Sequence, residues 1–238
     1  MQLYFIRHAQ SANNKLYDDT GQWNGRNTDP ELTELGHVQA RRLAEHVACV
    51  NGVDQPRDYV NRSRFGFTHL YSSLMVRALT TASYVSEALN LPLTVWEDWH
   101  EGGGIFVIDE ETGERTGQPG RSRSELAARF PYVQLPATVT DDGWWNRPLE
   151  TPEVQEQRAR RVIFDLLERH GGTDDRVAVV SHGGFYNTML AGLLGIQAGD
   201  GVWFSLNNTG ITRFNFDQEG VALAYANRLE HLPTEFIT

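Results

Sequence analysis

Two segments of this 238-residue chain end in a histidine soon after a short apolar run. The first is Leu3–Ile6, followed by Arg7 and His8, and the second is Val177–Val180, followed by a serine and His182. Such runs predict buried strands, and ligands of parallel α/β sheets bind at the carboxyl ends of strands. We therefore expect both histidines and the arginine to meet in one pocket. That pocket would suit a phosphate dianion, with one histidine free to attack phosphorus.

Two further motifs lie between these histidines. Residues 29–40 read Asp-Pro-Glu-Leu-Thr-Glu-Leu-Gly-His-Val-Gln-Ala, and residues 71–82 read Tyr-Ser-Ser-Leu-Met-Val-Arg-Ala-Leu-Thr-Thr-Ala. Together with Arg7–Ser11 and Ser181–Gly184, they form four motifs whose order resembles the histidine phosphatase superfamily, the phosphoglycerate mutase-like proteins. One departure is Ala9, where the family usually has glycine, because alanine carries a Cβ and disfavours positive φ.

The resemblance implies that His8 is a nucleophile that forms a phosphohistidine. Its second ring nitrogen then needs a fixed acceptor, which we expect to be a backbone carbonyl. Arg7 and Arg77 are expected to clamp the phosphate, because guanidinium groups bind phosphoryl oxygens through paired hydrogen bonds. His182 is expected to donate a hydrogen bond to a phosphoryl oxygen in its protonated form, and the N–H of Gly183 to reach the same phosphate.

Other interpretations of these residues remain open. Asn14 matches a family position that touches phosphate or holds the loop, and Ser11 can add a hydrogen bond, but ordinary loop structure explains both residues equally well. His8 and His182 have the alternative of structural histidines at strand ends, and Arg77 that of a solvated helix arginine. The agreement of four motifs favours the catalytic interpretation for these three.

A general acid must protonate the leaving oxygen, because an alkoxide is a poor leaving group. The family places this carboxylate after the third strand, often in the pattern Leu-x-Glu, which aligns with residues 99–101. Glu101 is therefore the expected acid, and Glu97 and Asp98 remain alternatives. Burial near Trp99 is expected to raise the pKa of the acid. After phosphoryl transfer, the same carboxylate would activate water to hydrolyse the phosphohistidine.

The composition restricts the partners of the chain. A formal net charge of −10 argues against nucleic acid and anionic membranes, although it leaves room for a small phosphorylated metabolite in a local basic pocket. The composition leaves open whether the chain forms a homodimer. The single cysteine, Cys49, lies in a stretch expected to be helical, and without a disulfide, a leader segment or a long apolar span we expect a cytoplasmic protein. We expect no metal and no organic cofactor, because the remaining histidines lack metal-ligand spacing.

Strands that alternate with helices predict an α/β fold, a three-layer α/β/α sandwich with a mostly parallel central sheet. The expected helices are 33–48, a helix that carries Arg77, 122–130, 152–169 and 185–194. The expected strands are 2–7, 67–72, 93–96, 176–181, 203–206, 211–216 and 221–227. The last three strands are expected near the edge of the sheet.

The whole chain, 1–238, is expected to form one domain. The loop-rich segment 102–150 is interpreted as a cap insertion over the pocket, because long loops in compact domains usually serve function. The region 13–30 is also expected to be a loop folded over the site. Within the cap, Trp144 and Trp145 either line a hydrophobic or sugar-stacking wall or pack the cap itself.

The resemblance implies a histidine acid phosphatase-type enzyme, and we expect a phosphomonoesterase acting on a small metabolite. Mutases of the family typically have Glu-Arg-x-Tyr-Gly around the acid, whereas Glu101 is followed here by three glycines and Ile105. This favours a phosphatase over a mutase; sugar phosphates, nucleotides and aryl phosphates remain open as substrates. A non-catalytic phospho-ligand module is disfavoured because His8 and both arginines are present. A metal hydrolase using His8 and His182 is disfavoured because carboxylate-rich motifs are missing.

Overall fold

The computed structural model describes residues 1–50, 58–109, 111–145, 147–196 and 201–238. Its strands are β1 (Gln2–Arg7), β2 (His69–Ser72), β3 (Leu93–Val95), β4 (Phe106–Ile108), β5 (Arg115–Gly117), β6 (Arg176–Ser181), β7 (Ile211–Asp217) and β8 (Gly220–Arg228). Within the described ranges, six strands form the main sheet in the order β3-β2-β6-β1-β7-β8, and β4 pairs with β5 in a separate ribbon. Strands β1, β2, β3 and β6 run parallel, and β7 and β8 add an antiparallel edge.

Capping residues bound several of the helices. They are α1 (Ala12–Thr20), α2 (Glu34–Ala48), α3 (Val76–Leu89), α4 (Arg123–Arg129), α5 (Pro152–His170) and α6 (Gly183–Leu194). Thr33 caps α2 by accepting a hydrogen bond from the N–H of Gly36 at 3.0 Å, and Thr151 caps α5, which begins with a proline. Cys49 lies exposed directly after α2, because the helix ends one residue before it.

Neighbouring residues of β1 point to opposite faces of the sheet, and both faces are covered. Tyr4 and Ile6 lie in a buried cluster with side chains of α2, α3 and the cap, whereas Leu3 and Phe5 lie in a second cluster with α5 and α6. All four side chains are completely buried, which explains why the strand is continuously apolar. The predicted three-layer α/β/α architecture is confirmed.

The region 13–30, expected as a loop, instead contains most of α1. The hydroxyl of Ser11 accepts a hydrogen bond from the N–H of Asn14 at 3.3 Å, and the side chain of Asn14 accepts one from the N–H of Ser11 at 3.1 Å. Gly21 ends the helix with a φ of 68°. The sequence of α1 is largely polar, so its ends, and not an apolar period, determine it.

The predicted strand at 203–206 is absent from the described part of the sheet. Asn187, on α6, instead binds this segment: its side-chain amide donates to the carbonyl of Phe204 at 3.0 Å and accepts from the same residue's N–H at 2.7 Å. One side chain thus satisfies the backbone groups that a neighbouring strand would use. Helix α6 also starts earlier than the predicted 185–194, at Gly183.

The segment 102–150 holds the β4–β5 ribbon and α4, and its role as a cap stays a prediction. Trp144 and Trp145 are 3% and 4% exposed, and their rings meet edge to face with centroids 5.7 Å apart. Both belong to a core cluster, which favours the packing interpretation over a ligand-stacking wall. No helix in the described ranges is long and apolar enough to cross a membrane.

Candidate active site

The carboxyl ends of β1 and β6 bring the two predicted histidines together. Parallel pairing places Arg7 opposite Ser181, so the next residues, His8 and His182, leave the sheet side by side. Their ring centroids lie 5.1 Å apart. This juxtaposition follows from strand register alone, as the positions of the two histidines in the sequence predict.

A cavity of about 370 Å³ opens at this edge of the sheet. Seven of the eight predicted site residues line it: Arg7, His8, Ser11, Asn14, Arg77, Glu101 and Gly183. The exception is His182, which is completely buried beside the His8 ring. The cavity also has lining residues that sequence reasoning missed, among them Trp23, Arg26, Phe106 and Arg115. A space of this size suits a small metabolite.

His8 is held with both ring nitrogens engaged. Nδ1 lies 2.7 Å from the carbonyl oxygen of Ala9, and the Nε–H of Arg77 donates to Nε2 at 3.1 Å. Nδ1 therefore carries the proton, and Nε2 presents its lone pair. Burial, and then the charges of Arg77 and Arg7, lower the pKa of His8 well below its usual value, which keeps the ring neutral. Ala9 is not among the described residues with positive φ, so its Cβ creates no backbone strain.

Arg77 is positioned by a buried aspartate of the motif at residues 29–40. Oδ1 of Asp29 accepts a hydrogen bond from the N–H of Val76, at the start of α3, at 3.1 Å and lies 3.7 Å from a guanidinium nitrogen of Arg77. Burial raises the pKa of Asp29 to about 6, although the charge of Arg77 acts in the opposite direction. Burial also lowers the pKa of Arg77, opposed by the charge of Asp29. The sequence motif contained Asp29, but its contact with α3 was not predictable from spacing.

Buried nitrogen atoms at this site lack hydrogen-bond partners within the described residues. They are Nε of Arg7, Nε of Arg26, Nη1 of Arg77 and Nδ1 of His182. Leaving a buried polar group unsatisfied costs about 1–3 kcal/mol, and more for a charged group. Donors of this kind around a cavity can be satisfied by the oxygens of an anionic ligand.

His182 contacts the chain that follows β2. Its Nε2 lies 2.7 Å from the hydroxyl oxygen of Ser73. Burial, followed by the charge of Arg77, lowers the pKa of His182 well below its usual value, so the ring is neutral without a ligand. A phosphate dianion would favour the protonated ring, and the predicted role as a charged donor depends on that effect.

Glu101 caps the helix that begins directly after His182. Its carboxylate accepts hydrogen bonds from the N–H groups of Gly102 at 2.8 Å, Phe185 at 2.8 Å and Gly184 at 3.2 Å. Two of these three donors belong to the first turn of α6, so the carboxylate is fixed at the amino-terminal end of that helix. A Cβ on Gly184 would lie 2.6 Å from Oε1 of Glu101, whereas one on Gly183 would meet only Arg7 at an ordinary 3.5 Å.

The two alternative acids lie elsewhere. Glu97 accepts a hydrogen bond from Thr138 and lies 3.9 Å from the guanidinium of Arg147, and Asp98 lies 3.3 Å from that of Arg161. Neither is among the described residues that line the cavity, whereas Glu101 is. This location favours Glu101 of the three candidates.

A buried ion pair fixes the loop that carries Glu101. Arg158 of α5 forms two hydrogen bonds of 2.7 Å with the carboxylate of Glu150, and both side chains are almost completely buried. The same guanidinium donates to the carbonyls of Asp98 at 2.6 Å and His100 at 3.0 Å. These contacts hold the backbone on the amino-terminal side of Glu101.

Ser11 and Asn14 have a structural function in addition to lining the cavity. Besides their reciprocal cap of α1, Asn14 accepts a hydrogen bond from the side chain of Asn208 at 3.3 Å. The same amide of Asn208 donates to the carbonyl of His8 at 2.8 Å. Asn208 therefore ties α1 to the end of β1, a contact between residues too distant in sequence for any spacing to reveal.

One cluster outside the cavity carries potential metal ligands. His69, His170 and Asp175 have donor atoms within 4.8 Å of one another. They lie near the amino ends of β2 and β6, whereas the cavity lies at the carboxyl ends. The spacing argument did not find this group. Nδ1 of His170 lies 2.8 Å from Asp175 and its Nε2 lies 3.1 Å from the hydroxyl of Tyr71. Since both nitrogens are already engaged, a hydrogen-bond network explains the cluster.

The sequence model of the Histidine phosphatase superfamily (branch 1) matches residues 3–228, and the chain belongs to this family, as the four motifs predicted. A search of curated proteins found no match. The chain is similar to the solved phosphoserine phosphatase of Entamoeba histolytica in complex with 3-phosphoglyceric acid, with 24% identity over 98% of this chain and 99% of that chain and a TM-score of 0.62.

Two further structures share the fold. Mycobacterial glucosyl-3-phosphoglycerate phosphatase in complex with VO3 is 21% identical over 96% of this chain and 99% of that chain, with a TM-score of 0.61. YhfR of Bacillus stearothermophilus is 20% identical over 97% and 98% of the two chains, with a TM-score of 0.59. All three likenesses extend over nearly the whole chain and show the same architecture.

Proposed function

We propose that this protein is a phosphomonoesterase that hydrolyses a small phosphorylated metabolite through a phosphohistidine on His8. The observation that carries the proposal is a neutral, buried His8 whose Nε2 lies beside Arg77, at a cavity bordered by buried nitrogen atoms that have no hydrogen-bond partner among the described residues. Family membership supports it, as do the fold relatives described as phosphatases of phosphoserine and glucosyl-3-phosphoglycerate.

In the proposed reaction, Nε2 of His8 forms a bond to phosphorus while the ester P–O bond breaks. Protonated Glu101 gives its proton to the leaving alcohol oxygen and becomes a carboxylate. That carboxylate then takes a proton from water, whose oxygen displaces His8 from phosphorus and releases inorganic phosphate. Arg7, Arg77 and protonated His182 stabilise the charge on the phosphoryl oxygens in both steps.

Glu101 must carry a proton at the first step, because the ester oxygen leaves as an alcohol. The N–H of Gly183 and the side chains of Ser11 and Asn14, which line the cavity, are proposed to contact the phosphate.

A mutase that returns the phosphoryl group to its substrate is the second candidate, and a non-catalytic phospho-ligand module the third. The glycines after Glu101, in place of the arginine and tyrosine typical of mutases, favour hydrolysis. The complete set of His8, Arg7 and Arg77 favours catalysis over binding alone.

The test is phosphate release from a panel of phosphomonoesters that includes 3-phosphoglycerate, with EDTA present. We expect release that persists in EDTA and falls below about one-thousandth in His8→Ala, because the nucleophile is lost. His37→Gln, at a histidine outside the described cavity lining, is the matched control and should remain active. Conversion of 3-phosphoglycerate to its 2-isomer without phosphate release would identify a mutase, and retained release in His8→Ala would refute the phosphohistidine.

A further inference from the structure

The cavity carries more positive charge than one phosphate dianion requires. Among the described residues that line it, four are arginines, Arg7, Arg26, Arg77 and Arg115, and one, Glu101, is acidic. The proposed reaction uses Arg7 and Arg77 to bind the transferred phosphate. It leaves Arg26 and Arg115 without a role.

Arg26 and Arg115 converge on one aromatic ring. The guanidinium carbon of Arg26 lies 4.2 Å from the ring centroid of Phe106, and that of Arg115 lies 5.5 Å from it. Phe106 is buried on β4, and Arg115 lies on β5, so the ribbon sets the position of one arginine relative to the ring. A guanidinium stacked on a ring keeps its edge N–H groups available for a planar or phosphoryl anion.

Within the described part of the chain, both arginines lack an acidic partner, unlike three other arginines of the cap segment. Arg121, Arg129 and Arg147 each lie within ion-pair distance of a glutamate. Arg26 and Arg115 form no ion pair with any described residue. Burial, together with the charges of Arg77 and Arg115, lowers the pKa of Arg26 to about 10, although Glu101 raises it. Keeping the partly buried Arg26 close to Arg77 costs free energy that a bound anion would recover, and the exposed Arg115 can reach the same anion from the solvent side.

We propose that Arg26 and Arg115 bind a second anionic group of the substrate, a carboxylate or a second phosphate, while His8, Arg7 and Arg77 bind the phosphate that is transferred. The inference rests on the proposed function for the transferred phosphate only. It narrows the substrate to a small phosphomonoester with two acidic groups, short enough for a cavity of about 370 Å³.

The test uses substrate pairs that differ in the second group alone. 3-Phosphoglycerate and glycerol 3-phosphate differ by a carboxylate in place of a hydroxymethyl group, and fructose 1,6-bisphosphate and fructose 6-phosphate differ by one phosphate. We expect wild-type kcat/KM to favour the more anionic member of at least one pair by about tenfold or more. The pair that shows the preference identifies the group as carboxylate or phosphate.

Arg26→Gln and Arg115→Gln should each lower this preference by about fivefold or more, and Arg26→Lys, which keeps the charge without the fork, should lower it less. The matched control is Arg147→Gln, which removes a cap arginine stacked on Trp145 that is not among the described lining residues, and it should keep the wild-type preference. Thermal unfolding of each variant identifies any that fail to fold, and Arg26→Lys keeps the test valid in that case.

A binding measurement separates this inference from the proposed function. Calorimetric titration of His8→Ala with the same four compounds should show the same preference for the more anionic member of a pair. The double variant that combines His8→Ala with Arg26→Gln should lose this preference. If the wild type releases no phosphate but this binding preference holds, the phosphatase proposal fails and the second-anion subsite stands. Equal affinities within both pairs, or a preference that survives in both arginine variants, would overturn the subsite.

Discussion

At the residue scale, the two ring nitrogens of His8 have different environments. A backbone carbonyl holds Nδ1, and Arg77 faces Nε2, so one nitrogen is fixed as the donor and the other presents the lone pair that the proposed nucleophile needs. The motifs predicted this residue and its arginine neighbours because each lies in a local pattern. Arg26 and Arg115 were missed because isolated arginines in segments expected to be loops carry no periodicity. Only the folded structure brings them to one aromatic ring.

Glu101→Gln tests the general acid. The amide cannot protonate a leaving oxygen, so we expect kcat/KM for an alkyl phosphate to fall by about 10²–10³-fold. The loss for p-nitrophenyl phosphate should be less than about tenfold, because its leaving group needs little protonation. Steady-state kinetics measure both, since kcat/KM reports the step that releases the alcohol. Glu97→Gln and Asp98→Asn are the controls. If Glu101→Gln lowers kcat/KM equally on both substrates, the acid is Glu97 or Asp98.

At the element scale, the start of α6 decides where the Glu101 carboxylate lies. Gly184→Ala would place a methyl group 2.6 Å from Oε1 and displace the carboxylate. We expect kcat/KM for alkyl phosphates to fall by about tenfold or more. Gly192→Ala, in the same helix, is the matched control because its Cβ would meet nothing within 4 Å, and it should keep activity and gain up to about 1 kcal/mol of stability. Unchanged kinetics in Gly184→Ala would contradict the proposed use of Glu101.

The α5 contact with the Glu101 loop gives a second prediction. Arg158→Met leaves the buried carboxylate of Glu150 unpaired, and we expect the free energy of unfolding to fall by about 3–5 kcal/mol. Adding Glu150→Leu should restore most of that stability. The activity should stay low, because the carbonyls of Asp98 and His100 still lack their donor. Chemical denaturation and kcat/KM separate the two effects; full recovery of activity in the double variant would limit Arg158 to its ion pair.

The elements differ in how far the sequence predicts them. Apolar runs and threonine caps predicted the buried strands and α2 and α5 within a few residues. The polar helix α1 was missed, although its Ser11 and Asn14 cap is a local signal that could have found it. The segment 203–206 was misassigned because its partner is Asn187, a side chain on another element, and no pattern within the segment encodes that contact.

At the scale of the whole molecule, the fold class was predictable and the strand order was not. Alternation of strands and helices indicates parallel pairing, but the position of β1 between β6 and β7 depends on partners far away in the sequence. Contacts between residues far apart in the sequence also affect the stability of the molecule. One of them joins Asp29, in the motif at residues 29–40, to the start of α3.

Asp29 makes stability depend on pH. Its pKa is raised from 3.8 to about 6 in the folded protein, so the folded state holds this proton more tightly than the unfolded state. The stabilisation is complete below about pH 4 and is lost as the pH rises through about 6, with an upper limit of about 3 kcal/mol. Relative to the wild type, Asp29→Asn should therefore become more stable between pH 4 and pH 7.

Urea denaturation at several pH values measures this effect as a difference between variant and wild type, which cancels the other titrating groups. Glu45→Gln, at an exposed carboxylate of α2 whose charge is not among those that shift the pKa of Asp29, is the control. A difference in unfolding free energy between Asp29→Asn and wild type that stays constant from pH 4 to 7 would refute the role of Asp29.

The two ends of the cap segment meet at one point. The N–H of Glu150 donates to the carbonyl of Gly103 at 3.3 Å, and Arg158 binds both the carboxylate of Glu150 and the backbone beside Glu101. Closing a loop between fixed ends costs only about 0.6 kcal/mol more for each doubling of its length. Outside its buried residues, such as Trp144 and Trp145, the segment can therefore change in length without displacing Glu101. Selectivity for the rest of the substrate can then be redesigned in these exposed parts while the residues proposed to act on the phosphate keep their positions.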